Sequence, residues 1–114
     1  MHGHLRVKDG LDRLPGPNGE RFVELFNHET LSVELYAPRR TDPQQPHPRD
    51  EVYVIASGTG RFLRGEEEVI FERGDVLFAA AGVFHRFVDF SQDFAAWVFF
   101  YGPEGGEKDS HSEK

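Results

Sequence analysis

Residues 45–58, QPHPRDEVYVIASG, and residues 74–89, GDVLFAAAGVFHRFVD, contain the most informative pattern in this chain. They include His47, Glu51 and His85. Imidazole nitrogen and carboxylate oxygen are the ligand types that suit Fe, Mn, Zn, Ni or Cu. The two stretches therefore contain the residue types of a site for one divalent metal ion.

The spacing within the first stretch predicts that several of its polar side chains point the same way. Gln45 lies two residues before His47, and residues two apart on a strand share a face. Glu51 and Tyr53 continue the same parity, so all four are expected to point inward. The prolines on either side of His47 hold this segment extended and favour an edge position in a sheet.

The rest of the chain reads as a series of short strands. Strand signals recur every eight to twelve residues and helix-period patterns are scarce, which is typical of a barrel or sandwich. The count and spacing fit an eight-stranded, all-β jelly roll with at most a turn or two of helix. The predicted strands are 21–26, 31–36, 51–57, 60–63, 68–71, 76–79, 85–89 and 94–101.

The first stretch resembles the first motif of the cupin family: Gly, five residues, His-x-His, three or four residues, Glu, six residues, Gly. His47 stands at the second His, with three residues before Glu51 and six more before Gly58. Gln45 replaces the first His, and Arg39 replaces the first Gly. The loss of that His bears on the chemistry of the site, whereas the loss of a turn glycine is easy to accommodate.

The second stretch resembles the second motif of the family: Gly, five residues, Pro-x-Gly, two residues, His, three residues, Asn. It runs from Gly74 through Ala80, which replaces the Pro, to Gly82 and His85, with Asp89 at the position of the Asn. The resemblance implies a double-stranded β-helix, the jelly-roll barrel of small single-domain cupins. Whole segments also look like short bacterial cupins whose activity is undefined.

The resemblance implies one divalent metal ion bound by His47, Glu51 and His85. It leaves two roles open for Gln45: a weak fourth metal ligand through its carbonyl oxygen, or a hydrogen-bond donor to another ligand. Two histidines with one carboxylate are typical of non-haem Fe(II) oxygenases. The first expectation is thus a metal-dependent, oxygenase-type enzyme acting on a small organic molecule. An isomerase or lyase, and a non-catalytic cupin that binds or senses a small ligand, are the alternatives.

Two further expectations concern the walls of the site and the assembly. Tyr53 and Phe87 share the parity of Glu51 and His85, which makes them candidate substrate-binding residues, although core packing is the commoner fate of such side chains. Residues 94–101 are apolar on both parities, which favours burial on both faces. A homodimer is therefore expected.

Composition excludes several classes of partner. A net charge of −7 in 114 residues disfavours binding to nucleic acid, and no run approaches the length of a membrane span. With no cysteine and no apolar leader, a cytoplasmic protein is expected. One domain is expected, with an N-terminal segment and loop at 1–20, the barrel at 21–101, and a disordered acidic, Gly-rich tail at 102–114.

Overall fold

The computed structural model describes residues 3–108, which form eight β-strands and one short helix. Every predicted strand is present, and each end lies within two residues of its predicted position. The elements are α1 (Val7–Leu11), β1 (Phe22–His28), β2 (Leu31–Tyr36), β3 (Asp50–Ser57), β4 (Gly60–Arg64), β5 (Glu67–Phe71), β6 (Val76–Ala79), β7 (His85–Val88) and β8 (Ala95–Tyr101).

The strands form two antiparallel sheets. One has five strands in the order β1-β2-β8-β3-β6, and the other has three in the order β5-β4-β7. Buried side chains from both sheets meet in a common hydrophobic core, so the sheets face each other as two layers. The expectation of an all-β jelly roll is therefore confirmed.

The core is built mainly from aromatic rings. The ring of Phe87 on β7 lies 4.9 Å from the rings of Tyr53 and Phe62, centroid to centroid, and 4.7 Å from that of Phe94. Phe71 packs edge-on against Phe87 at 5.5 Å. Tilted rings at such distances stabilise one another beyond the effect of burying their area. Several of the eleven phenylalanines in the sequence thus lie in this core.

The glycines that punctuate the two motif-bearing stretches adopt left-handed backbone conformations. The angle φ is +89° at Gly58, +93° at Gly74 and +78° at Gly82. These values strain any residue that has a Cβ. At Gly58 a Cβ would also lie 2.6 Å from the Cα of Phe94. The glycines therefore set where β3 ends and where β6 and β7 begin.

The short helix covers part of the outer face of the five-stranded sheet. Gly10 is buried there against Leu35 of β2, and a Cβ at this position would lie 2.6 Å from the Leu35 side chain. Part of the segment that reads as a loop in the sequence is thus helical. Within residues 3–108 no helix is long and apolar enough to cross a membrane.

Residues 102–107 correct the expectation that the chain is disordered from residue 102 onward. The backbone N–H of Gly105 donates to the carbonyl of Pro48, and that of Glu107 donates to the carboxylate of Asp50, each at 2.7 Å. Composition did not reveal this order, because the partners lie far away along the chain. Residues 109–114 lie outside the described residues.

One carboxylate on the inner side of the five-stranded sheet has no hydrogen-bond partner within the described chain. Glu34 on β2 is in register with Val98 of β8, whose side chain is buried in the core. Burial, together with the carboxylates of Glu24 and Glu51, raises the pKa of Glu34 to about 7. Between pH 4.5 and about 7, the folded protein therefore holds a proton on Glu34 that the unfolded chain would release.

We expect Glu34→Gln to stabilise the metal-free protein increasingly as the pH rises. The ordinary pKa of the carboxyl is 4.5, so the folded state binds more protons than the unfolded state between pH 4.5 and about 7. The free energy of unfolding of the wild type should fall through that window, by roughly 1–3 kcal/mol relative to the variant. Urea unfolding with a chelator present, from pH 4 to 8, measures the difference.

Glu66→Gln is the control for this comparison, because it makes the same change of charge at an exposed hairpin position. It should leave the pH dependence of the wild type unchanged. A stability difference between Glu34→Gln and the wild type that stays constant with pH would contradict the assignment.

Candidate metal centre

Two histidines and one glutamate come together beside the aromatic core. One potential ligand atom from each of His47, Glu51 and His85 lies within 4.8 Å of the others. Glu51 comes from β3 of the larger sheet, His85 from β7 of the smaller sheet, and His47 from the segment that leads into β3. Within residues 3–108 this is the one group of acidic or histidine side chains that could hold a metal ion.

Strand alternation places Glu51 inside the protein. Glu51, Tyr53 and Ile55 are buried, while Val52 and Val54 between them are partly exposed on the opposite face. The hydroxyl of Tyr53 donates to Oε2 of Glu51 at 3.0 Å. The other oxygen of Glu51, Oε1, faces His85. The carboxylate is thus held by one donor and keeps one oxygen for a cation.

The two ring nitrogens of His85 have different surroundings. Nδ1 lies 2.9 Å from the carbonyl oxygen of Val83 and must be the donor, because a carbonyl only accepts. In the neutral ring, Nε2 then carries the free lone pair, and this atom is buried. Oε1 of Glu51 is 2.7 Å from Nε2, close enough for an ion pair but without the alignment of a hydrogen bond. Metal-binding histidines commonly have one nitrogen bonded to a carbonyl in this way.

These surroundings also affect the protonation of His85. Burial lowers the pKa of His85, but the Glu51 carboxylate and the Val83 carbonyl outweigh burial, so the pKa is raised above its ordinary value. A proton and a metal ion would therefore compete for the same lone pair. Two imidazoles, one of which has a buried nitrogen without a hydrogen bond, and one carboxylate make a donor set that fits a divalent cation.

His47 is held by its backbone and by ring packing. Its carbonyl accepts a hydrogen bond of 2.8 Å from Gly82, which ties its segment to the turn before His85. Its ring packs edge-on against Phe100, with the centroids 4.9 Å apart, and lies 5.8 Å from the ring of His85. The side chain is half-buried, so His47 is the member of the group that solvent can reach.

Gln45 does not take the inward position that its parity predicted. Residues 42–49 are not a strand, so alternation does not apply to them. The side chain of Gln45 is exposed and makes no hydrogen bond within the described chain. Gln44 faces the group instead, with its Oε1 3.3 Å from Nε2 of His47 and 3.2 Å from the hydroxyl of Tyr53. The sequence held no signal that separates two adjacent glutamines.

The two predicted substrate-binding residues lie in the interior. Burial, followed by the charge and hydrogen bond of Glu51, raises the pKa of Tyr53 well above its ordinary value, so its hydroxyl keeps its proton and donates. Phe87 is 1% exposed and belongs to the aromatic core, which is the alternative that its sequence position left open. Neither residue lines the neighbouring cavity.

A cavity of about 760 Å³ opens beside His47. Its lining comes from strands β1, β2 and β8, from residues 19–21 and from residues 43–49. Its volume and mixed lining suit a small organic molecule. Apolar walls come from Phe22, Val98 and Phe100, and charged groups come from Arg21, Glu34 and Arg49.

Solved structures with the same fold include a cupin protein and a lyase. A crystal structure of a cupin protein from Bacteroides fragilis has a TM-score of 0.57 at 20% identity, covering 82% of this chain and 86% of its own. A DMSP lyase structure has a TM-score of 0.64 at 21% identity, covering 75% of this chain and 50% of its own. At these identities the likeness establishes the fold alone.

Sequence comparison gives the family. An uncharacterized protein of Streptomyces coelicolor is 36% identical over 98 residues, which cover 84% of this chain and 93% of the relative. The model of the Cupin_2 family, a cupin domain, matches residues 32–101. The chain therefore belongs to the Cupin_2 family of cupin domains.

Proposed function

We propose that the protein is a metal-dependent enzyme that acts on a small organic molecule, with one divalent ion bound by His47, Glu51 and His85. The observation that carries the proposal is the buried Nε2 of His85. It has no hydrogen bond, faces the Glu51 carboxylate, and belongs to a group that opens through His47 onto a cavity. A ring lone pair and a carboxylate oxygen 2.7 Å apart repel each other unless a proton or a metal ion lies between them, so this arrangement favours a ligand role.

The donor set favours oxygenase chemistry as the first assignment. Fe, Mn, Zn, Ni and Cu all bind imidazole and carboxylate, and two histidines with one carboxylate are typical of Fe(II) oxygenases. When bound, the metal would act as a Lewis acid or activate dioxygen. The protein residues would orient the ion, exclude water on the core side, and admit the organic molecule from the cavity beside His47.

Oxygen uptake tests the reaction class. Metal-free protein is loaded with Fe(II) under anaerobic conditions, and small molecules that raise its melting temperature are then tested for dioxygen consumption. Uptake that depends on both the molecule and His85 would support an oxygenase. Conversion of the molecule without oxygen uptake would indicate an isomerase or lyase, and binding without conversion would indicate a binding or sensing module.

Metal content tests the site itself. His85→Ala should lose most of the bound metal, because it removes the buried lone pair, whereas His28→Ala should keep it, because His28 is exposed at the end of β1. Elemental analysis of protein purified without a His-tag or chelator gives the metal-to-protein ratio. Equal ratios in wild type and His85→Ala would count against the site.

The outer face of the larger sheet supports the expected homodimer. Two apolar rows cross this face, and α1 covers only the end near β2, where Leu35 is fully buried. On the uncovered side, Phe78 is 41% exposed and Val76 is 65% exposed. We infer that a second copy packs on this patch, because apolar faces of this kind mark interfaces and two-fold dimers are the commonest assembly. The rows are Val33, Phe99, Val52 and Phe78, and Leu35, Trp97, Val54 and Val76.

A charged substitution in this patch should separate the subunits. Light scattering should give the wild type twice the 13.0 kDa mass of the chain, and Val76→Asp should shift it toward the monomer. Ile70→Asp is the matched control, since Ile70 is 79% exposed on β5 of the other sheet. A monomeric wild type, or a dimer that both variants leave intact, would refute this interface.

A further inference from the structure

The carboxylate of Asp42 is buried and accepts hydrogen bonds on both oxygens. Asp42 is 3% exposed. Its Oδ1 accepts from the hydroxyl of Tyr36 and from the backbone N–H of Gln44. Its Oδ2 accepts from the backbone N–H of Phe87 and from the side-chain Nε2 of Gln44, each at 2.8 Å. Asp42 therefore connects β2, β7 and the segment that precedes β3.

This carboxylate fixes the orientation of the Gln44 side-chain amide. An ionised carboxylate only accepts hydrogen bonds, so the amide group that faces Asp42 must be Nε2. A flipped amide would set its oxygen against a negative charge. The oxygen Oε1 of Gln44 therefore points toward the hydroxyl of Tyr53 at 3.2 Å and Nε2 of His47 at 3.3 Å.

Few protons are available for that oxygen. Tyr53 has one hydroxyl proton, and Oε2 of Glu51 at 3.0 Å is the closer acceptor and, being charged, the stronger one. His47 can donate from Nε2 only while that nitrogen does not bind a metal. Coordination through Nε2 of His47 would thus leave the oxygen of Gln44 beside the ion, with no proton donor of its own.

The separation of the two atoms suits two ligands of one ion. Nitrogen and oxygen ligands lie about 2.0–2.2 Å from a divalent metal, so at angles of roughly 90–110° they lie about 3.0–3.5 Å apart. The oxygen of Gln44 and Nε2 of His47 are 3.3 Å apart. Gln45, next in the chain and identical in chemistry, is exposed and has no such contact.

We propose that Gln44, oriented by Asp42, supplies through Oε1 the fourth protein ligand of the metal centre. The inference rests on the metal centre proposed above. The complete set is then two imidazoles, one carboxylate and one neutral amide oxygen. An amide oxygen is a harder donor than imidazole. A site with an amide oxygen in place of a third imidazole therefore favours Mn²⁺ and Fe²⁺ relative to Cu²⁺ and Zn²⁺.

A pair of matched variants tests this assignment. Metal-free wild type, Gln44→Ala and Gln45→Ala are titrated with Mn²⁺, and free Mn²⁺ is measured by electron paramagnetic resonance. Gln44→Ala should weaken Mn²⁺ binding about tenfold or more, which is the usual loss of metal affinity when a residue that supports a metal site is removed. Because alanine leaves space for a water on the ion, water-proton relaxation by bound Mn²⁺ should also increase. Gln45→Ala should change neither quantity.

The outcomes separate this inference from the metal centre on which it rests. If wild type and Gln44→Ala bind Mn²⁺ equally well, Gln44 is not a ligand. The proposed metal centre itself is then left intact. Weaker binding without extra relaxation assigns Gln44 to hydrogen bonding alone and also overturns its role as a ligand. Wild type that binds neither Mn²⁺ nor Zn²⁺ overturns the metal centre and this inference together.

A measurement on the wild-type chain removes any dependence on how the variant folds. Zn²⁺ is diamagnetic, so the side-chain amide resonances of both glutamines stay visible by NMR during a titration. Coordination should shift the Gln44 side-chain resonances strongly and leave those of Gln45 in place. Gln44 resonances that do not move as Zn²⁺ binds would overturn the assignment.

Discussion

The pairing of β3 with strands on both sides is the constraint on which the rest of the structure depends. β3 pairs with β8 along one edge and with β6 along the other, so its register is fixed twice. Alternation then sends Glu51 and Tyr53 to the interior, with Val52 and Val54 on the outer face. A slip of one residue would exchange the two sets, placing valines at the candidate metal centre and a carboxylate on the apolar outer face.

The interior combines an apolar core with a group of polar side chains that could hold a cation. The rings around Phe87 form the first, and His47, Glu51 and His85 form the second. Burying Glu51 and a histidine nitrogen without a hydrogen bond opposes folding. The hydrogen bonds of the Asp42 carboxylate connect β2 of the larger sheet with β7 of the smaller one beside this group. Glu51 and His85 thus break the rule that buried side chains are apolar, and such exceptions are common at functional sites.

The sequence by itself determined the strands, the turns between them and three residues of the candidate centre. Strand alternation and turn residues act over a few residues, so the strands could be placed without knowledge of the rest of the chain. The spacing of His47 and Glu51 within one stretch, and of His85 within the other, is also a local feature. It identified these three residues as candidate metal ligands. For the strands, the structure agrees with the prediction from sequence to within two residues at each end.

Only the tertiary structure decided which glutamine faces the site and what becomes of Phe87 and of residues 102–107. Gln44 and Gln45 have the same side chain, and Asp42 selects between them because contacts with β2 and β7 hold its carboxylate in place. The parity of Phe87 allowed a cavity wall as well as a core position, and packing against β3 settled it. Such choices depend on atoms that lie tens of residues apart along the chain, so no local pattern of residue types encodes them.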